Sequence, residues 1–144
     1  MAVTSTRTDI QDEIRRGSLP ISAVTLKIKE ALEQGNEHEA WRWLIEFADD
    51  FRGSTRKGQK WLISEPSSPI GDNRYDSAIA ALVEYLCSTV DIASPPWTNE
   101  EYRFACPWWF HVDSPIVRAR AIRESPISFK RHGVFICAGA FDSV

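Results

Sequence analysis

The sequence predicts a mainly α protein, a compact single-domain helical bundle with long loops and at most a short strand near the C-terminus. Three observations lead there. Apolar residues recur at three- and four-residue steps through 21–53 and again through 72–92. Glycines mostly stand singly where these periodic stretches stop. No alternation of strand-like and helix-like segments points to a parallel α/β sheet. The 144 residues suit one domain, read as an N-terminal segment over 1–20 and a single helical domain over 21–144.

Each element follows from local chemistry. A short polar helix is expected from Thr8 to Arg16, stopped by Gly17. After Ser18-Leu19-Pro20, the residues Ile21, Val24, Ile28, Ala31 and Leu32 form one apolar stripe opposite Lys27, Lys29, Glu30 and Glu33, ending at Gly35. Asn36 with Glu39 has the residue types of a capping-box start. Ala40, Leu44, Phe47 and Phe51, with a second stripe of Trp41, Ile45 and Ala48, then make a helix apolar over more than half its circumference, ending at Gly53.

Residues 53–72, dense in Gly, Ser and Pro, read as a long loop with a brief ordered piece at 59–64. Asp72 can cap the next helix, whose Ala78, Ile79, Leu82, Val83, Leu86, Cys87 and Val90 are apolar along much of its length. Pro95-Pro96 ends it. Thr98-x-x-Glu101 repeats the capping-box pattern and predicts a short helix over 99–105, stopped by Pro107. The aromatic run Trp108 to Val112 reads as a buried extended segment or an exposed anchor. Ser114-Pro115 starts a further helix, in which Ile116, Ala119 and Ile122 are expected to face the core. Ser125-Pro126 starts another over 126–132, closed by Gly133, and Val134 to Ile136 read as a small strand.

Charge is unevenly distributed. Residues 1–60 hold ten Lys/Arg and ten Asp/Glu, residues 61–113 hold two and eight, and residues 114–144 hold five and two. The net charge of −3 excludes a strongly basic nucleic-acid binder of the simplest kind. Cys87, Cys106 and Cys137 are odd in number and widely spaced, which fits reduced thiols in a cytoplasmic protein better than a disulfide framework. No signal-peptide pattern opens the sequence, and no apolar run is long enough to span a membrane.

Catalytic chemistry is not written openly. His111 and Asp113 form the one close His/acid pair beyond the N-terminal region, and the i, i+2 spacing directs both one way only in an extended segment. Cys106, before Pro107, is the thiol expected at the surface. No Gly-x-Ser-x-Gly turn or glycine-rich phosphate loop is present, so no cofactor is expected, and no metal is expected because His, Cys, Asp and Glu do not converge at ligand spacings. A helix-turn-helix over 21–53 is disfavoured, because its second helix presents Trp41, Trp43, Phe47 and Phe51 with Glu37 and Glu39 at its start.

The C-terminal region reads Pro96-Trp97-Thr98, then Arg103-Phe104-x-x-Pro107-Trp108-Trp109-Phe110, then Ser125-Pro126-x-x-Phe129-x-Arg131-x-Gly133-Val134-Phe135-Ile136. This pattern resembles small actinobacterial proteins that act as antitoxin partners of nucleotidyltransferase-like toxins, the class that modifies transfer RNA. Some members carry it behind a helix-turn-helix domain, from which residues 1–50 here depart. The resemblance implies a non-enzymatic inhibitor that contacts a protein toxin directly, with promoter DNA as the alternative partner. Trp97, Trp108, Trp109, Arg118, Arg120 and Arg123 are the expected partner-binding residues, since Trp and Arg dominate interface hot spots.

Overall fold

The computed structural model describes residues 18–137 and 139–141, so the helix expected over 8–16 lies outside the described residues. The protein is mainly helical, with one short two-stranded parallel sheet near the C-terminus among the described residues. The chain divides into two compact units, one ending at Ser68 and the other beginning at Pro69, a boundary inside the segment read as a long loop.

The first unit contains α1 (Ile21–Glu33), α2 (Glu37–Arg52) and α3 (Arg56–Leu62). Ile21, Val24, Ile28 and Ala31 are buried as the stripe predicts, and Thr25 joins them by donating its hydroxyl to the Ile21 carbonyl at 2.8 Å. Gly35 at φ +71° turns the chain between α1 and α2, a conformation that side chains with a Cβ rarely adopt. The Asn36 side chain then accepts from the Glu39 N–H at 3.1 Å and starts α2. Ala40, Trp41, Leu44, Phe47, Ala48 and Phe51 are its buried face.

The expected loop over 53–72 is corrected at its start. Residues Arg56–Leu62 form a helix, because Thr55 accepts from the Gly58 N–H at 3.1 Å and the inward side of the turn is buried at Gly58, Gln59 and Leu62. Gln59 donates its amide to the Phe51 carbonyl at 3.0 Å, tying α3 to the end of α2. A polar residue serves as an inward anchor here, so hydrophobic periodicity could not reveal the helix.

In the second unit, α4 (Asn73–Thr89) is central and buried along nearly its whole length. Around it pack two 3₁₀ turns (Pro96–Asn99 and Glu101–Arg103), α6 (Ile127–Arg131) and the strand β2 (Val134–Phe135). The strand β1 (Trp109–Phe110) pairs parallel to β2, Trp109 opposite Val134 and Phe110 opposite Phe135. The connection between the strands carries α5 (Pro115–Glu124) and α6, as a parallel pair requires a long crossover. Phe129 is fully buried, stacking on Phe141 at 5.4 Å and meeting Tyr85 edge-on at 6.1 Å. Removing one such ring from water contributes about 2–3 kcal/mol.

Two expectations fail here for tertiary reasons. The helix over 99–105 is replaced by the two 3₁₀ turns. Thr98, fully buried, donates its hydroxyl back to the Pro95 carbonyl at 2.8 Å, and Arg103 enters the core. In α5 the inward stripe is Val117 and Ala121, while Ile116, Ala119 and Ile122 face outward. The helix is thus turned by half a circle, roughly 180°, from the expected azimuth. Ser125 sets that rotation: its hydroxyl accepts from the Ile136 N–H at 2.8 Å and lies 2.6 Å from the Ala121 carbonyl. Residues four and eight positions before Ser125 must therefore face β2.

Candidate functional site

A polar network fixes the second unit from inside. Glu84, on α4, is 7% exposed and receives the guanidinium of Arg131 on two atoms, with Nε to Oε2 at 3.2 Å. His132 is fully buried, its Nε2 3.0 Å from Glu84 Oε1 and its Nδ1 2.5 Å from the Arg103 carbonyl. The Nε2 contact has the distance of an ion pair without the alignment of a hydrogen bond. Burial acts to raise the Glu84 carboxyl, but His132 and Arg131 outweigh it and hold the group at about 2.

Arg103 is fully buried between the rings of Trp97 and Tyr102, each 4.6 Å from its guanidinium carbon, and donates to the Tyr102 hydroxyl at 2.6 Å. Burial lowers its pKa. Asp76 accepts from the Ile70 and Gly71 N–H groups at 2.9 and 3.3 Å, and burial raises its carboxyl. These groups set the positions of the 3₁₀ turns and α6 beside α4.

Two surface features rest on that scaffold. The first is an open cleft of about 400 Å³ lined by Asp72, Asn73, Arg74, Cys106, Trp108 and Trp109, with Gly71 and Pro107. Asn73 holds its far wall, donating to the Tyr102 and Phe104 carbonyls at 3.0 Å and accepting from the Cys106 N–H at 2.8 Å. Arg74 pairs with Asp72 at 2.9 Å and lies 5.4 Å from the Trp109 ring, and together with its backbone N–H it outweighs burial to lower the Asp72 carboxyl.

The second is α5 itself. Only Ala121 is buried and Val117 half-buried on its inward side, so most of the helix circumference meets solvent. Ile116 is 79% exposed and Ile122 46%, with Ile127 at 82% just beyond the helix end. Ile116, Arg120 and Arg123 recur at four- and three-residue steps and form one outward stripe. That stripe places two arginines next to a bare isoleucine. Ile116 and Ile122, about 120° apart around the helix, flank its outward side.

The structure separates the residues expected to bind a partner. Trp97 is 8% exposed and packs beneath Arg103 inside the unit, which corrects its assignment as a surface anchor. Trp108 is 63% exposed on the cleft wall, whereas Trp109 is half-buried in β1, 5.2 Å from the Tyr75 ring. Arg118 is held by Asp113 at 2.7 Å and lies 4.4 Å from the Phe110 ring. Arg123 is near Glu124 at 3.8 Å, and its carbonyl accepts from Lys130 Nζ. Arg120 is exposed.

Of the residues weighed for catalysis, Asp113 is engaged with Arg118, His111 meets the Trp109 ring edge-on at 5.8 Å, and Cys106 is exposed in the cleft. Among the described residues no three His, Cys, Asp or Glu side chains converge as a metal site, and no helix is long and apolar enough to cross a membrane. Sequence reasoning missed Ile116, Ile122 and Ile127 as surface residues. No signal in the sequence distinguishes the outward rotation of Ile116 and Ile122, which depends on Ser125 and Ile136. No protein-family model, curated protein or solved structure matches this chain.

Proposed function

We propose that the protein is an inhibitory binding protein that neutralises a nucleotidyltransferase-type toxin by direct contact, acting through the outward face of α5. The observation that carries this reading is the outward stripe of Ile116, Arg120 and Arg123, with Ile122 exposed on the same helix. An apolar surface flanked by arginines suits a partner surface that is apolar and rimmed by carboxylates. Phosphoryl- and nucleotidyl-transfer enzymes hold their metal ions with clustered carboxylates, so a face of this chemistry is suited to cover such a centre. The resemblance of residues 96–136 to antitoxins supplies the class of partner.

Co-expression with the product of the neighbouring gene, and with a nucleotidyltransferase toxin of the class the resemblance implies, tests the reading. Wild-type protein is expected to co-purify with the enzyme and to restore growth. A variant carrying Ile116→Asp and Arg120→Ala is expected to do neither while remaining folded. Failure of the wild-type protein to bind or to rescue overturns the proposal.

A further inference from the structure

The first unit carries a second charged face that the docking reading does not use. Between Phe51 and Ser64 the sequence holds four cations, Arg52, Arg56, Lys57 and Lys60, and no acid. Residues 18–50 hold Lys27, Lys29 and Arg42 against seven acids. Among the described residues of this unit, the net positive charge is therefore concentrated on one short stretch of chain.

The structure folds that stretch so that its cations point the same way. At about 100° per residue, Gly58, Gln59 and Leu62 fall on one side of α3, and these are its buried residues. Arg56, Lys57, Lys60 and Trp61 fall on the other side. The three cations are exposed and Trp61 is half-buried. Arg52 ends α2 and is not part of this face. Gln59 fixes the azimuth through its bond to the Phe51 carbonyl, so the outward set follows from how α3 is anchored.

A helix face of three cations next to one aromatic ring matches the chemistry of a phosphodiester backbone with bases beside it. We infer that the outward face of α3 binds nucleic acid, through contacts of Arg56, Lys57 and Lys60 with backbone phosphates and of Trp61 with an accessible base. This inference stands independently of the toxin-docking reading. It also relocates the nucleic-acid question from the helix over 37–52, where acids open the helix, to α3.

Fluorescence-anisotropy titrations of the full chain with a mixed-sequence DNA duplex and with a single-stranded RNA, each over a range of salt, test it. Neutralising three phosphate contacts reduces the slope of log K against log salt by about 2.7 for a duplex and about 2.1 for a single strand. The Arg56→Gln, Lys57→Gln, Lys60→Gln variant is expected to show that reduction; glutamine retains helix propensity close to lysine. The control Lys27→Gln, Lys29→Gln, two exposed cations on α1, is expected to leave the slope unchanged. Trp61→Leu is expected to weaken the single strand and leave the duplex unaffected, so the two arms identify the source of the phosphates. Absence of binding to both nucleic acids at about 50 mM salt, an unchanged slope in the triple variant, or an equal loss in the α1 control overturns the inference.

Discussion

Replacing Gly133 by alanine is expected to destabilise the second unit by about 2–5 kcal/mol, in two separable parts. Gly133 sits at φ +74°, where a Cβ costs roughly 1–2 kcal/mol. The added Cβ would also lie 2.8 Å from the Ala105 carbonyl oxygen and 3.2 Å from Trp108 Cδ1. The backbone cannot easily withdraw: Ala105 N–H donates to the His132 carbonyl at 2.8 Å, and Trp109 N–H donates to the Gly133 carbonyl at 2.9 Å. Moving the segment apart would sacrifice those bonds, so overpacking adds about 1–3 kcal/mol.

Gly71 supplies the control. It has φ +90° in the same unit, and a Cβ there meets nothing within 4 Å, so Gly71→Ala is expected to cost the conformational part alone. Urea unfolding of both variants, followed by tryptophan fluorescence at constant m-value, measures the two effects. A gap of at least about 1 kcal/mol between them is expected. Equal midpoints would refute the claim that residues 105–109 are clamped against Gly133.

Three further outcomes follow from the interior. Glu84 is held at about 2 against an ordinary 4.5, so its stabilisation is complete above about pH 4.5 and is lost as pH falls toward 2; Glu84→Gln should lower stability at neutral pH, and its deficit relative to wild type should shrink through that window in pH-dependent denaturation. Asn73→Ala removes two donated bonds and one accepted bond and should destabilise by about 1–3 kcal/mol, with faster amide exchange at Cys106 as the check. Burial and the nearby Glu84 push the Cys87 thiol up to about 11, so alkylation at pH 7.5 followed by peptide mass analysis should label exposed Cys106 first and Cys87 only after unfolding.

Much of the helical order was legible because burial follows the apolar period. Ile21, Val24 and Ile28 on α1, and Ala78, Ile79, Leu82 and Leu86 on α4, are buried where the spacing places them. The caps at Asn36, Asp72 and Ser114 form as their residue types predict. What escaped was set by polar or distant partners. Gln59 anchors α3 from its inward side, Thr98 bonds backward to Pro95, and Ser125 turns α5 by its bond to Ile136. None of those choices leaves a hydrophobic signature. The same causes divide the candidate site: Trp108 and the arginines of α5 reach the surface as expected, whereas Trp97 is drawn inside by Arg103, a fully buried cation that composition alone does not announce.

The central claim is that α5 docks a protein partner through its outward stripe. Calorimetric titration of the toxin with wild type and with an Ile116→Ala, Arg120→Ala, Arg123→Ala variant tests it most directly. Desolvated apolar and arginine anchors each contribute more than about 1 kcal/mol to binding, so the variant should bind at least tenfold more weakly. Its melting temperature should stay within about 6 °C of wild type, because three surface substitutions each worth less than about 0.5 kcal/mol sum to no more than about 1.5 kcal/mol. A folded variant that binds the toxin as tightly as the wild type would contradict the account.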